Sequence, residues 1–175
     1  MNEHGMYFGK NSFYQIVKNV GGVWNDAKER PLVCVIKSTE YDDLYWAVPV
    51  GNWEHRDIKA QQRIQDYINM PQKDIRSCFY HIGNTDIKSI FFISDILPVT
   101  DTYIDRDYLS KFNKQHIIKN KILLLELEYK VKRILSFENR RPNYFRQHIT
   151  DVKNYLVNEM MLELEAATAK EEHLH

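Results

Sequence analysis

The side chains best suited to chemistry on an anion are concentrated in residues 49–64. There an apolar strand pattern runs into a Gly51-Asn52 loop and then into a helical pattern. The titratable and cationic members of this segment are His55, Arg56, Lys59 and Arg63. Imidazole titrates near neutral pH, and cations stabilise negative charge that develops on a phosphate. The segment is therefore predicted to bind an anion, and it is the first place to look for catalysis.

Metal-free cleavage of RNA is the chemistry that these side chain types could perform. The 2′-hydroxyl must lose a proton, the negative charge on phosphorus must be stabilised, and the leaving 5′-oxygen must gain a proton. Histidine and Lys or Arg side chains can supply all three functions. The residues predicted to be catalytic are Arg30, His55, Arg56 and Lys59. The sequence leaves open which of them is the base and which is the acid.

Each of these residues also has a purely structural interpretation. His55 can cap a helix or be half-buried, Arg56 can pair with a neighbouring carboxylate, and Arg30 can simply open a strand before Pro31. The occurrence of such residues together favours function over these separate explanations.

Further residues are candidates for contacts with RNA. His81 lies near the end of a predicted strand beside a Gly-containing turn, although a structural role is equally compatible with that position. Trp53 in the polar loop is the more plausible platform for base stacking, and Trp46 is expected in the core. The basic group around Pro142 can bind phosphates or merely solubilise a turn. The predicted RNA-binding residues are Gly51, Asn52, Trp53, Arg63, His81, Thr85, Lys88, Arg140, Arg141 and Arg146.

Charge is segregated along a chain whose formal net charge is zero. Residues 111–153 contain eleven Lys or Arg against four Asp or Glu. The flanking residues 91–110 have one against four, and residues 154–175 have one against five. Such asymmetry can steer a polyanion to one face of a neutral molecule, although solvated helix faces are the more common explanation.

Several classes of protein are excluded by what the sequence lacks. It contains no phosphate-binding P-loop, no GxGxxG, no GxSxG and no HExxH. The histidines lack the paired spacing that zinc requires, so we predict no metal and no cofactor. Cys34 and Cys78 lie in separate apolar runs and are expected to be reduced core residues. No apolar run approaches the roughly 18 residues of a membrane span, and no signal peptide is evident, so a cytoplasmic location is expected.

The order of predicted elements indicates an α+β fold with an antiparallel sheet. Strands are predicted at residues 32–36, 44–50, 77–82 and 88–94, and each pair has a short polar connection typical of a hairpin. Helices are predicted after Asn11 and at residues 57–70, 120–137 and 143–160. At 175 residues with 43% hydrophobic content, the chain is expected to form one domain, with residues 165–175 as a disordered, frayed tail.

Three segments carry a resemblance to a known family. RPLVCVI at residues 30–36, LYWAVPVGN at residues 44–52 and FYHIGNTDIKSIFFISDILPVTDTYI at residues 79–104 resemble the toxin component of type III toxin-antitoxin systems. That family includes ToxN, AbiQ, CptN and TenpN, and the similarity is closest to the CptN-like branch over residues 6–156. Relatives often have Ser or Thr followed by Lys in the loop where this chain has Gly51-Asn52 and a later His55-Arg56.

The resemblance implies a metal-independent endoribonuclease that leaves a 2′,3′-cyclic phosphate. It implies a compact, strongly bent antiparallel sheet wrapped by helices, with the basic residue of a strand start at Arg30. The implied partner is a small repeated antitoxin RNA that folds into pseudoknots and forms a closed assembly with the protein. Growth arrest or defence against phage would be the biological role.

Two other functions remain compatible with the sequence. A non-catalytic RNA-binding or regulatory module could use the same basic residues without cleaving RNA. An interaction domain with no nucleic-acid role predicts no salt-dependent binding of RNA. The near-neutral charge slightly favours the interaction domain, and the clustered loop favours the ribonuclease.

Overall fold

The computed structural model describes residues 1–25 and 29–172. Over these residues the chain forms seven strands and four helices. The strands are β1 (Met6–Gly9), β2 (Leu32–Lys37), β3 (Leu44–Asn52), β4 (Tyr80–Asn84), β5 (Lys88–Phe92), β6 (Leu97–Thr100) and β7 (Ile104–Asp107). The helices are α1 (Asn11–Asn19), α2 (Ile58–Ile68), α3 (Lys121–Arg140) and α4 (Ile149–Glu172). The predicted α+β class is confirmed.

All seven strands belong to one antiparallel sheet in the order β4-β5-β3-β2-β1-β7. β3 is the central strand and pairs with β2 along one side. On its other side, the first half of β3 pairs with β6 and its last three residues pair with β5. The sheet is not strongly curled or closed, because β4 and β7 remain at opposite ends of the strand order. The strongly bent sheet implied by the family resemblance is therefore wrong for this chain.

Helices cover both faces of the sheet, and this explains why β2 is apolar without alternation. Val33 and Val35 point toward α3 and join a core with Leu127 and Val131. The intervening Leu32 and Cys34 join a second core that contains side chains of α1 and α4. Both cysteines are buried and free, as predicted.

A third, smaller core lies beneath α2 at the end of the sheet that carries the predicted site. It contains Ile64 of α2, Trp53 after β3, and Ile90 and Phe92 of β5. The side chain of Asp57 caps α2 by accepting a hydrogen bond from the Ala60 backbone N–H at 2.7 Å. This capping and packing fix the start of α2 against the ends of β3 and β5.

Several predicted boundaries differ from the structure. The strand predicted at residues 77–82 begins only at Tyr80, because residues 75–78 form a 3₁₀ turn after the capping residue Asp74. Residues 101–107, for which neither a strand nor a helix was predicted, contain a 3₁₀ turn and then β7. α4 extends to Glu172, so much of the tail that was expected to be disordered is helical, and residues 173–175 lie outside the described part.

α4 also begins six residues later than predicted, at Ile149. The buried carboxylate of Glu138 organises the connection from α3, since its Oε1 accepts hydrogen bonds from the backbone of Asn143 and from the backbone and hydroxyl of Thr150. Asn143 and His148 both have positive φ, which ends helical continuity there. None of the helices in the described part of the chain is long and apolar enough to cross a membrane.

Candidate nucleic-acid interface

Arg30 and Arg56 are brought together by the pairing of β2 with β3. Arg30 precedes β2, and Arg56 follows the 3₁₀ turn that succeeds β3. Both guanidinium groups lie near the ring of Phe92 in β5, with Cζ to ring-centroid distances of 4.5 Å for Arg30 and 5.5 Å for Arg56. The negative face of an aromatic ring attracts cations, so Phe92 helps to hold two like charges at one place.

The Gly51-Asn52 loop shapes this place through its backbone. A Cβ atom on Gly51 would lie 3.0 Å from the ring of Phe92 and 3.4 Å from Nη2 of Arg56, so glycine permits their close approach. The side chain of Asn52 accepts a hydrogen bond from the Glu54 backbone N–H at 2.8 Å and caps the 3₁₀ turn. Both residues therefore shape the site, and direct contact with RNA stays a prediction for them.

The electrostatics of the pair favour an anionic ligand. Burial, followed by the charges of Arg56 and Arg146, lowers the pKa of Arg30, and Asp95 opposes that effect. Within the described residues, Nε of Arg56 is buried and has no hydrogen-bond partner. A buried guanidinium N–H without a partner is unfavourable. A bound anion would offset the mutual repulsion of the two cations.

Asp95 is the acidic residue of the same site, and its oxygens are already engaged. Arg146 donates to it from Nε at 3.1 Å and from Nη2 at 2.6 Å, which is a bidentate ion pair. Gln147 donates a third hydrogen bond to Asp95 at 2.6 Å. Asp95 therefore neutralises Arg146 more directly than it neutralises Arg30 or Arg56.

A cavity of about 530 Å³ opens over this cluster, and we call it the arginine cavity. It lies between α2, the ends of β4 and β5, and the connection before α4. It is lined by Arg30, Arg56, Arg63, Tyr67, Phe79, Tyr80, Phe92, Ser94, Asp95, Tyr144, Phe145 and Arg146. Cations and aromatic rings thus line one cavity that is open to solvent.

A neighbouring cavity of about 420 Å³ contains the predicted imidazole, and we call it the histidine cavity. Its polar side chains include Glu29, Arg30, Asn52, His55, Arg56, Thr85 and Ser89. His55 is exposed at the end of the 3₁₀ turn, and the hydroxyls of Thr85 and Ser89 are 2.8 Å apart. Because Arg30 and Arg56 line both cavities, they connect His55 to the aromatic space.

Some predicted residues lie outside the two cavities. Lys59 is exposed on the first turn of α2 and is not among their lining residues. Trp53 is only 5% exposed, which leaves little ring surface for the predicted base stacking. Lys88 lies with its Nζ 5.7 Å from the centroid of that buried indole. The stacking prediction for Trp53 fails because the loop folds its ring into the core beneath α2.

His81 faces α3 and is separated from the arginine pair. Side chains alternate along β4, so Tyr80 lines the arginine cavity while His81 contacts Glu126, with Nε2 3.1 Å from Oε2. Burial, and then the charge of Lys130, lowers the pKa of His81, and Glu126 acts in the opposite direction. The structure thus places His81 against the exposed carboxylate of Glu126 and in neither cavity.

The basic group around Pro142 is divided between two sites. Arg146 lines the arginine cavity, whereas Arg140 lines a groove of about 680 Å³ along α3. This α3 groove is lined by Lys73, Ile75, Tyr129, Lys132, Arg133, Ser136, Phe137 and Arg140. Arg141 is exposed, with its Cζ 5.9 Å from the centroid of Phe137. Phe137 meets Tyr144 of the arginine cavity edge to face at 4.8 Å, so the groove and the cavity are neighbours.

The sequence interpretation missed the aromatic lining and Asp95. Phe92 could have been found from the alternation of β5, which places it on the same face as Ile90. Asp95 could have been noticed as a carboxylate directly after an apolar run. No local pattern links Tyr67 and Tyr144 to the site, since Tyr67 belongs to α2 and Tyr144 to the distant connection between α3 and α4.

Comparison with known proteins supplies no relative: no family model matches the chain, and no curated protein sequence matches it significantly. Within the described residues, no three His, Cys, Asp or Glu side chains are placed so that they could hold a metal ion together. The functional argument therefore depends on the residues of the two cavities.

Proposed function

We propose that the protein is an endoribonuclease whose scissile phosphate binds between Arg30 and Arg56, where the two cavities meet. The observation that carries this proposal is the pair of guanidinium groups on the ring of Phe92. Guanidinium forks match the geometry of phosphate oxygens, and a phosphodiester would supply the missing negative charge.

Two features of the histidine cavity support cleavage in addition to binding. His55 is exposed and lines the same space as both arginines, so its imidazole can exchange protons with a bound substrate. The 2′-oxygen would attack phosphorus as it loses its proton, the bond from phosphorus to the 5′-oxygen would break, and that oxygen would take up a proton. The products are a 2′,3′-cyclic phosphate and a free 5′-hydroxyl. His55 serves one of the two proton transfers, and Arg30 and Arg56 stabilise the charge on the phosphoryl oxygens.

The biological setting of the proposal comes from the family resemblance. We propose a toxin of a type III system, held inactive by a small repeated pseudoknot RNA in a closed assembly and released during growth arrest or phage defence. The substrate and this inhibitor are both RNA, so one cationic surface could serve both. The segments that resemble the family include β2, β3, β4 and β5, which position the arginine pair.

The direct test is cleavage of a structured RNA by purified protein in the presence of EDTA. Wild type should generate fragments that end in a 2′,3′-cyclic phosphate. His55→Ala should lower the rate by about 10²- to 10⁴-fold, the range for loss of a general acid or base. Arg56→Gln should raise the RNA concentration needed for half-maximal rate and also lower the maximal rate, because the phosphate loses charge stabilisation.

Glu54→Ala is the matched control, since Glu54 is exposed beside His55 and contacts Asn52 through its backbone only. It should cleave at the wild-type rate. If wild type binds RNA in a salt-dependent manner and leaves it intact, the cleavage proposal fails and a non-catalytic RNA-binding module takes its place. If no RNA is bound at low salt, both are wrong.

A further inference from the structure

The geometry points to the arginine cavity as a binding site for one nucleotide residue, placed directly beside the phosphate that lies between Arg30 and Arg56. The phosphate of this nucleotide would bind Arg63 and Arg146. Its base would pack against the aromatic wall of the cavity, which we define as Tyr67, Phe79, Tyr80, Phe92 and Tyr144. This inference rests on the proposed function for its position next to a cleaved bond. The evidence for the binding site itself comes from the residues that line the cavity.

Charge is the first observation that favours a phosphorylated ligand. The cavity is lined by four guanidinium groups and one carboxylate, so it carries an excess of three positive charges. Arg146 is paired with Asp95, and its side chain is still 58% exposed. Arg63 is exposed on α2 and extends the cationic rim. One phosphodiester at Arg30 and Arg56 leaves Arg63 and the outer side of Arg146 available for a second phosphate.

The aromatic wall is the second observation, and it distinguishes a nucleotide from a bare anion. Tyr67 stacks on Phe79 with centroids 5.7 Å apart and planes at 26°. Tyr80 meets Phe92 edge to face at 6.1 Å, so these four rings support one another around the cavity. Tyr144 is 51% exposed and therefore presents ring surface toward solvent at the rim. Exposed aromatic rings beside arginines are the usual platform for unpaired bases.

Size and continuity are the third observation. A volume of about 530 Å³ lies within the range of about 300–1,000 Å³ that is typical of small-molecule sites. That space suits one nucleotide residue and is too small for a duplex. Because Arg30 and Arg56 also line the histidine cavity, a base in the arginine cavity would be the immediate neighbour of the phosphate beside His55.

An internal nucleotide of RNA and a free mononucleotide both have a phosphate and a base, so either could occupy the arginine cavity. Calorimetric titration of the full chain can separate these sources with three probes. They are a dinucleotide that lacks the 2′-hydroxyl at the bond to be cut, adenosine monophosphate and inorganic phosphate. The dinucleotide cannot be cleaved by attack of a 2′-oxygen, so its binding is measured independently of catalysis.

We expect the dinucleotide to bind at least tenfold more tightly than inorganic phosphate. Tyr144→Ala should weaken the dinucleotide about tenfold, in line with loss of one base-stacking contact. The same variant should leave phosphate binding unchanged. Tyr144→Phe keeps the ring and should retain wild-type affinity for the dinucleotide. This comparison shows that the ring is the group required, and unchanged phosphate binding shows that the alanine variant is folded. Arg63→Gln should weaken both the dinucleotide and phosphate.

Tyr155→Ala is the matched control, because Tyr155 is 41% exposed on α4 and lines none of the cavities described above. It should bind all three probes like wild type. If the dinucleotide binds no better than phosphate, or if Tyr144→Ala and Tyr155→Ala behave alike, the nucleotide site is wrong. If adenosine monophosphate binds as tightly as the dinucleotide, the site for a nucleotide is supported and its placement beside a cleaved bond is overturned. If the protein does not cleave RNA but binding of the dinucleotide still depends on Tyr144, only the cleavage proposal is wrong and the nucleotide site is supported.

Discussion

Arg56 and Arg146 line the same cavity, but their charges meet different surroundings. Arg146 forms a bidentate pair with Asp95, whose side chain is only 10% exposed. Arg56 lies near Arg30 with a buried Nε that has no partner among the described residues. Arg146 is therefore expected to stabilise the folded protein, whereas Arg56 is expected to destabilise it. Residues that bind a ligand often reduce the stability of the free protein.

This difference predicts opposite effects on folding. Arg56→Met should raise the free energy of unfolding by about 0.5–2 kcal/mol, because an apolar chain of similar length replaces a cation beside Arg30 whose buried Nε has no partner among the described residues. Arg146→Met should lower it by about 1–3 kcal/mol, because Asp95 loses its main partner while buried. Urea unfolding at neutral pH measures both. Equal destabilisation by the two variants would show that Arg56 is already satisfied in the free protein.

The residue scale also shows how far the sequence could define the site. Arg30, His55 and Arg56 were predicted, because they stand at the ends of two strands that pair through a short connection. Phe92 and Tyr144 were not, because their contribution depends on how β5 and the α3 to α4 connection are placed in space. Trp53 was misassigned for the same reason, since a polar neighbourhood in sequence does not reveal that the ring turns inward.

At the scale of elements, β4 and α3 are joined by charged groups in a half-buried interface. Lys130 of α3 donates a hydrogen bond to the Tyr80 carbonyl at 2.8 Å, and Glu126 contacts His81. The side chain of His81 is 14% exposed, so protonation would place a second cation near Lys130 with limited solvent. This interface holds the edge strand that contributes Tyr80 to the arginine cavity.

The lowered pKa of His81 predicts how stability responds to acid. The unfolded histidine has a pKa of about 6.5 and takes up a proton before the folded one does. Stability should therefore fall as pH decreases from about 6.5 through the lower folded pKa. His81→Gln should reduce the difference in melting temperature between pH 7.5 and pH 5.5 at constant ionic strength.

Glu126→Gln provides a comparison of opposite sign. Glu126 raises the pKa of His81 against the lowering effects of burial and Lys130, so its removal should depress that pKa further. The difference in melting temperature between the two pH values should then become larger than in wild type. If both variants lose acid sensitivity equally, the pairing of His81 with Glu126, and not burial of the imidazole alone, is responsible for it.

Element types were more predictable than element boundaries. The strong apolar periodicity of α1, α2 and α3 was enough to locate those helices, and hairpin connections were enough to pair β2 with β3 and β4 with β5. The start of α4 was not predictable, because it depends on a hydrogen-bond network around the buried Glu138. The central position of β3 was also not predictable from the sequence, because β5 and β6 both pair with the same side of that strand.

The whole molecule has zero net charge, yet its cationic side chains form a continuous route across three neighbouring sites. The α3 groove leads through the contact of Phe137 with Tyr144 to the arginine cavity, and that cavity shares two arginines with the histidine cavity. The basic excess of residues 111–153 contributes to the groove through Lys132, Arg133 and Arg140. A polyanion longer than a dinucleotide could therefore contact all three sites.

Extended binding along this route predicts a specific change in salt dependence. Each phosphate contact with single-stranded nucleic acid contributes a slope of about 0.7 to the fall of log affinity with log salt. Reversing two charges that line the groove, with Lys132→Glu and Arg140→Glu together, should reduce the slope for a long single-stranded RNA by about 1.4 if both contact phosphates. Affinity for the uncleavable dinucleotide should remain unchanged, because the arginine cavity keeps its own cations.

The charge-matched control is Lys111→Glu with Lys114→Glu, two exposed residues of the same basic segment that do not line the α3 groove. This control changes the net charge by the same amount. If it reduces the slope as much as the groove variant does, long-range attraction by residues 111–153 explains RNA binding without a defined path. If only the groove variant changes the slope, phosphates occupy the α3 groove, and the neutral molecule binds RNA through the placement of its cations.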